Sequence, residues 1–238
     1  ERTALHAAAD HLTKVLGRAP RIEKNLAVRG FTLIIASRNQ LISDLPEFAA
    51  FKGTKATADD DFDEHTRGAG HQAGRFVACS EENLLQYRGS KWYGYDGCVH
   101  EIAHAVMWLG MSPEARAKIW ATFLTQRSKW AGQYAGTNPA EYWAELSMWY
   151  FGATSPSKPA GSQPGPAWLK SYDPEGFALL DAFYTDRVDP GAAKLTTLKP
   201  RPGADEASAR SADRSQHPVS LHIRNRTNAP LVSYWLDL

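Results

Sequence analysis

The stretch GCVHEIAHAVMW, which covers residues 97–108, decides how the rest of this 238-residue chain is interpreted. It contains His100, Glu101 and His104 in an H-E-x-x-H pattern. The alanine and apolar residues around them favour a helix, which Gly110 would end. Side chains four positions apart lie on one face of a helix, so both imidazoles could bind one zinc ion at about 2.0–2.1 Å. Glu101 would then lie beside a water molecule on that metal and could act as its base.

The pattern has a simpler interpretation that must be weighed against the metal site. Two partly buried histidines on an amphipathic helix, with Glu101 in solvent, would give the same sequence. A catalytic zinc ion needs three protein ligands and one open position. The metal interpretation therefore requires a third ligand from another part of the chain.

Several later carboxylates are candidates for that third ligand. Asn138 followed by Pro139 predicts the start of a helix, and Glu141 and Glu145 lie four residues apart within it. Both carboxylates therefore fall on one helical face, where one could bind zinc and the other could orient a ligand imidazole. Spacing alone does not choose between them, and Glu141 would also suit a capping box with Asn138. Asp181, in a later predicted helix, is a more distant candidate.

Together, the two stretches resemble the catalytic core of the anthrax lethal-factor-like zinc peptidases. That family has H-E-x-x-H-A-V on one helix and Y-x-x-T-N-x-A-E-[FY]-[FW]-A-E at the next ligand helix, matched here by residues 100–106 and 134–145. The resemblance covers roughly residues 95–152, and Pro139 replaces an acidic or polar residue of the family pattern. It implies an α+β, zincin-like fold that is mostly helical, with a small mixed sheet around the motif helix.

The resemblance also implies a role for each site residue. It assigns the zinc ligands, which are two imidazoles and one carboxylate: His100, His104 and Glu141. Glu101 would be the general base, Tyr134 would donate a hydrogen bond to the oxyanion, and Glu145 would support the ligands. Without the resemblance, Tyr134 would be an ordinary packed aromatic residue. The substrate of the toxin does not transfer, because its target-recognition regions have no visible counterpart here.

Hydrophobic periodicity predicts the other elements of the first 187 residues. Helices are expected over residues 4–16, 113–130, 139–152 and from 174 onward, and strands over 31–36 and 75–79. Residues 18–23 are predicted to be an extended link, and residues 53–74 a long polar loop. The strand at 75–79 is short enough for a sheet edge, where an extended peptide could add by β-augmentation.

Composition divides the chain into three predicted segments. Residues 1–187 form the metallopeptidase domain, and residues 188–218, rich in proline, alanine, serine and charge, form a flexible linker. Residues 219–238 are expected to be a β-hairpin or the start of a truncated β-domain, with a weak resemblance to the start of the von Hippel–Lindau β-domain. A lone hairpin is marginally stable in water, so this segment would pair with the main sheet or belong to a longer domain.

Charge and cysteine content limit the partners and the cellular compartment that we expect for the protein. A formal net charge of +1 gives no reason to expect nucleic acid or a membrane as partner, and no apolar run approaches the roughly 20 residues of a membrane span. Cys79 and Cys98 could form a disulfide, remain buried thiols or bind metal, although their spacing matches no zinc signature. No signal peptide is visible in the chain. Two cysteines among many aromatic residues mildly favour a secreted or extracytoplasmic protein.

The sequence therefore predicts a zinc-dependent endopeptidase with a peptide or protein substrate. Two alternatives stay open. One is a non-catalytic zinc-containing module that binds partners through its C-terminal β-segment, and the other is a zinc hydrolase that acts on non-peptide amides. Oligomeric state and side-chain preference at the cleavage site do not follow from the sequence.

Overall fold

The computed structural model describes residues 2–55, 61–71, 75–155, 158–192 and 222–224. The helices and strands follow one another in this order: α1 (Arg2–Leu16), α2 (Pro20–Val28), β1 (Thr32–Ala36), α3 (Phe62–His65), β2 (Gly68–His71), β3 (Phe76–Ser80), α4 (Glu81–Leu84), α5 (Gly97–Ala105), α6 (Pro113–Gln126), α7 (Pro139–Tyr150), α8 (Pro166–Tyr172), α9 (Pro174–Tyr184) and β4 (His222–Arg224). Short 3-10 helices cover Ile42–Asp44, Pro46–Phe51 and Tyr134–Gly136. This helix-rich chain with a small mixed sheet confirms the predicted α+β class.

The sheet separates a large helical core from a smaller apolar layer. Its strand order is β2-β3-β1-β4, with β1 parallel to both β3 and β4, and β2 antiparallel to β3. Leu33 and Val77 face the helices, whereas Ile34 and Ala78 face the 3-10 helices near Phe48. The apolar run predicted as a buried strand is β1, and it is continuous because both faces of the strand are covered.

Three predictions from the sequence are wrong in the first half of the chain. Residues 18–23 are not an extended link, because Pro20 is the first residue of α2, a position for which its fixed φ is well suited. The strand predicted at 75–79 exists as β3, but it lies between β2 and β1 and is not an edge. The edge is β2, inside the region predicted to be a loop. Its two glycines have low strand propensity, and pairing with β3 overrides that preference.

The N-terminal end of the motif helix α5 is fixed by two contacts. Asp96 caps it, with Oδ1 accepting a hydrogen bond from the Val99 amide at 3.1 Å. His11, on α1, holds the Asp96 carboxylate through Nε2 at 3.1 Å. A disulfide between Cys79 and Cys98, with Cα atoms 5.2 Å apart, joins β3 to the second residue of α5. The two cysteines therefore hold the motif helix against the sheet.

The other end of α5 continues into a wider π-helical turn, Val106–Gly110, close to the predicted stop at Gly110. Asn25 closes this turn by donating from Nδ2 to the Gly110 carbonyl at 2.8 Å. Arg29 and Arg116 donate to the Trp108 carbonyl. The motif helix is thus held at both ends by elements that carry no predicted metal ligand.

Three of the later helices, α6, α7 and α9, begin at the predicted residues, whereas α8 was not predicted. The hydroxyl of Ser112 caps α6, the amide oxygen of Asn138 caps α7, and a carboxylate oxygen of Asp173 caps α9. In each case proline occupies the first helical position, where it sacrifices no hydrogen bond. These starts follow directly from local sequence.

The C-terminal predictions fall mostly outside the described residues. Residues 222–224 form β4, which pairs with β1 and so belongs to the main sheet. The rest of the predicted β-segment, at 219–221 and 225–238, and most of the predicted linker, at 193–218, lie beyond the described ranges. Among the helices that the structure describes, none is long and apolar enough to cross a membrane.

Candidate metal centre

Helices α5 and α7 bring three predicted ligands together. The Nε2 atoms of His100 and His104 lie 3.0 Å apart. Oε2 of Glu141 lies 3.2 Å from Nε2 of His100 and 3.5 Å from Nε2 of His104. Four-coordinate zinc with bonds of about 2.0–2.1 Å places its ligand atoms roughly 3.3–3.4 Å apart. The three side chains form a group that could hold a metal ion.

The Glu141 side chain is directed at the imidazoles and not at its own helix end. Asn138 caps that end alone, with Oδ1 accepting from the amides of Ala140 and Glu141 at 2.9 and 3.0 Å. Oε2 of Glu141 is buried and has no hydrogen-bond partner in the part of the chain that the structure describes. A cation between the three ligand atoms would satisfy this oxygen, so the residues present fit a metal ion.

Glu145 lies behind His100 on the side away from the ligand atoms. Its Oε1 is 3.1 Å from Nδ1 of His100, and its side chain is only 1% exposed. A carboxylate at Nδ1 keeps the proton on that nitrogen and leaves Nε2 for a metal. Glu141 and Glu145 therefore occupy different positions around the same imidazole, a distinction that their spacing in the sequence could not give.

His104 is oriented by stacking. Its ring lies 4.8 Å from the Trp108 ring, with 9° between the planes. Its Nδ1 is buried without a hydrogen-bond partner among the described residues. The two histidines are thus held in different ways, one by a carboxylate and the other by an indole.

Opposite charges shift the ionisation of the cluster. Burial alone would lower the pKa of His100, but contacts with the carboxylates of Glu141 and Glu145 raise it well above its usual value. Burial would raise the pKa of Glu141, and the imidazoles of His100 and His104 outweigh it and lower that pKa. Without metal, the site therefore favours a protonated His100 imidazole beside ionised carboxylates. A metal ion would take the place of this positive charge.

Glu101 is buried beside the ligands, where β2 crosses α5. A Cβ atom on Gly68 would lie 3.0 Å from Cγ and Oε1 of Glu101, so a larger residue would require the strand or the Glu101 side chain to shift. Burial raises the pKa of Glu101, with the positive charge of His100 and His104 opposing the shift. A carboxylate whose pKa moves toward neutrality is suited to general base catalysis.

Tyr134 lies at the open side of the cluster. It begins the 3-10 helix Tyr134–Gly136, is 51% exposed, and its ring stacks on His100 at 6.4 Å between centroids. Burial raises the pKa of Tyr134, and the negative charges of Glu141, Glu145 and Glu101 add to the shift. Its hydroxyl therefore stays protonated and can donate a hydrogen bond.

A buried aspartate that the sequence indicated only as a helix start supports this arrangement. Oδ2 of Asp173 accepts from Nε1 of Trp130 at 2.9 Å and from the hydroxyl of Tyr142 at 2.7 Å. Trp130 packs below the Tyr134 turn, since a Cβ on Gly136 would lie 2.3 Å from its carbonyl oxygen. Asp173 therefore links that turn to the helix that carries Glu141. Its burial depends on contacts more than 30 residues apart along the chain, and no local pattern signals them.

Other candidates from the sequence have other partners. Asp181 accepts a hydrogen bond from the Tyr150 hydroxyl at 2.7 Å and pairs with Arg187. Cys79 and Cys98 are joined in the disulfide. The glycines of β2 are the site residues that sequence reasoning missed. The spacing Gly68-x-Gly70 would place both glycines on one face of a strand, but it does not by itself predict that strand.

The chain was compared with protein-family models, with curated proteins and with solved structures, and nothing matched in any of the three.

Proposed function

We propose that this protein is a zinc-dependent endopeptidase of the zincin type, related in its catalytic core to the anthrax lethal-factor-like peptidases. The convergence of His100 Nε2, His104 Nε2 and Glu141 Oε2 within 3.5 Å, beside the buried Glu101, is the observation that carries this proposal. Two imidazoles and one carboxylate form a donor set that suits a catalytic zinc ion. The ion would polarise the scissile carbonyl and activate the attacking water.

The side chains around the ligands would share the remaining chemistry. Glu101 would accept the proton of the attacking water and pass it to the leaving amine. Tyr134 would donate a hydrogen bond to the oxygen that gains negative charge, while Glu145 holds the His100 ring. Each of these roles is supported by the position of the side chain relative to the ligand atoms.

The edge strand β2 offers a place for an extended substrate. Among the described strands it pairs only with β3, so its other edge has backbone groups that can bind a peptide by β-augmentation. Gly68 brings this edge against Glu101. A peptide on β2 would therefore pass close to the base, which favours a peptide bond as the reacting group.

The Cys79–Cys98 disulfide supports an extracytoplasmic location as part of this proposal, because disulfides persist in oxidising compartments.

The test compares the wild-type chain with Glu101→Gln, each loaded with one equivalent of zinc. Mass spectrometry of a broad peptide mixture should show cleavage by the wild type and none by the variant, while metal analysis finds equal zinc in both. Equal cleavage by both proteins would refute the role of Glu101. Bound zinc without any cleavage would favour the binding-module alternative, and cleavage of non-peptide amides alone would favour the second alternative.

A further inference from the structure

Two arginines contact the end of the motif helix, and a third lies near enough for its charge to act on one of them. Nη1 of Arg29 and Nη1 of Arg116 lie 3.3 and 3.4 Å from the carbonyl oxygen of Trp108. Arg75, directly before β3, is the third, and burial together with the charges of Arg116 and Arg75 lowers the pKa of Arg29. Positive charges from the end of α2 and from α6 therefore meet at the Trp108 carbonyl, and the charge of Arg75 acts on Arg29.

Within the described ranges, no carboxylate forms an ion pair with any of these three arginines. The arginines that do form such pairs lie elsewhere: Arg21, Arg67 and Arg187. The carbonyl at the end of a helix attracts cations and explains why two guanidinium groups lie at Trp108. It accepts only one N–H from each of them, whereas a guanidinium carries five. The remaining donors, and the repulsion between three cations, favour an anion at this position.

Trp108 connects the arginines to the metal centre. Its ring stacks on His104 at 4.8 Å, and its carbonyl binds Arg29 and Arg116. A Cβ on Gly70 would lie 2.7 Å from Cζ3 of Trp108. Strand β2 thus extends from Glu101, at Gly68, to Trp108, at Gly70.

The spacing of these contacts along β2 indicates which residue of a bound peptide would lie near the arginines. Two strand residues, at about 3.4 Å each, separate the contact with Glu101 from the contact with Trp108. A peptide lying on the free edge of β2 would therefore bring a side chain about two or three residues from the scissile bond toward the arginines.

We propose that Arg29, Arg75 and Arg116 bind an acidic side chain of the substrate, two or three residues from the bond that is cleaved. The inference rests on the proposed peptidase function and specifies the substrate class. Guanidinium groups bind carboxylates through paired, charge-assisted hydrogen bonds, and a phosphate group would use the same chemistry. A carboxylate on the peptide is favoured because β2 connects the arginines to the catalytic base.

The experiment uses pairs of peptides that differ only by Glu against Gln, at each of the four positions on either side of the cleaved bond. Binding to zinc-loaded Glu101→Gln protein is measured by fluorescence anisotropy, and kcat/KM is measured with the wild type. At one position two or three residues from the cleaved bond, the Glu peptide should bind and react about ten- to a hundredfold better, the range of a charged hydrogen bond. Arg116→Gln and Arg75→Gln should each reduce this ratio at least threefold. The ratio is compared, and not kcat/KM itself, because Arg116 also contacts the Trp108 carbonyl.

Arg127→Gln is the matched control, because Arg127 follows α6 and is exposed; it should leave the ratio unchanged. Equal binding and equal kcat/KM for the Glu and Gln peptides at every position would overturn the inference. Cleavage of those peptides would still support the proposed peptidase function. A Glu preference in binding without cleavage would leave the arginine site standing and refute the peptidase. Inorganic phosphate that binds without any Glu preference would identify a free-anion site and overturn the assignment to a peptide side chain. Failure to bind any peptide would overturn both.

Discussion

At the scale of single residues, Glu145 and the candidate ligand Glu141 contact different nitrogens of His100. The Glu145 carboxylate is almost fully buried and contacts Nδ1 of His100, whereas Glu141 contacts Nε2. Glu145→Gln should weaken zinc affinity about 10- to 100-fold, the usual cost of losing such a partner. Competition with a zinc chelator measures the affinity, and Glu114→Gln, on the exposed face of α6, is the control. If Glu145→Gln lost zinc completely while Glu141→Gln kept it, the two roles would have to be exchanged.

Tyr134 allows a test of oxyanion binding that leaves the metal in place. Burial and the charges of three carboxylates raise the pKa of its hydroxyl and keep it protonated, and it is not in the group of metal ligands. Tyr134→Phe should lower kcat about 100- to 1000-fold, as removal of one oxyanion donor does elsewhere, without loss of zinc. Tyr93→Phe removes the hydroxyl of another half-exposed tyrosine and should have no effect. An unchanged kcat in Tyr134→Phe would show that the Tyr134 hydroxyl has no role in catalysis and that the ring only packs.

The raised pKa of His100 predicts how metal binding depends on pH. In the metal-free protein His100 holds a proton at pH values below this raised pKa, and a metal ligand must be neutral. Zinc must then displace one proton, so its apparent affinity should fall about tenfold for each pH unit below the pKa of His100. Calorimetry in buffers of different ionisation enthalpy would measure the released proton. Zinc binding without proton release near neutral pH would contradict the prediction.

At the scale of elements, the contact between β2 and α5 is set by two glycines. A methyl group on Gly70 would lie 2.7 Å from Trp108, whose ring orients His104. Gly70→Ala should therefore displace β2 or Trp108 and lower kcat/KM at least tenfold, at a cost of about 1–3 kcal/mol for overpacking. Gly89→Ala is a suitable control, since nothing lies within 4 Å of its added Cβ. Peptide hydrolysis and zinc content are measured in both variants. Full activity in Gly70→Ala would show that the contact between β2 and Trp108 does not position the catalytic residues.

The elements also show which features the sequence could predict. Helix starts at Ser112, Asn138 and Asp173 follow from short caps and prolines, and the H-E-x-x-H helix follows from local composition. The edge strand β2 could not be found in this way, because Gly-Ala-Gly-His has no strand preference and depends on β3 for its hydrogen bonds. The spacing of Glu141 and Glu145 in the sequence also could not show which of the two would be the metal ligand. Both lie on one face of α7, and only the position of α5 shows which nitrogen of His100 each one contacts.

At the scale of the whole molecule, the motif helix α5 is held by contacts that do not involve the candidate metal ligands. The Cys79–Cys98 disulfide and Asp96 hold its first turn, and Asn25 with Arg29 holds its end. Chelation of zinc should therefore leave a folded protein that unfolds cooperatively, whereas Cys79→Ala/Cys98→Ala should lower the free energy of unfolding by about 2–4 kcal/mol. Denaturant titration followed by circular dichroism measures both. An unfolded metal-free protein would show that zinc binding and folding are coupled.

The support of α5 from both ends affects the order in which the protein folds and binds metal. In small zinc domains the ion and the chain must come together for folding to occur. Here the disulfide and the Asp96 cap hold α5 without a metal ligand, so we expect folding and metal uptake to be separate steps. The protein would then be made and transported without metal, emptied by a competitor and filled again, with no refolding in between. Under the proposed function, zinc supply would then determine when the protein is active, while the disulfide and the polar contacts around α5 would determine how long it stays folded.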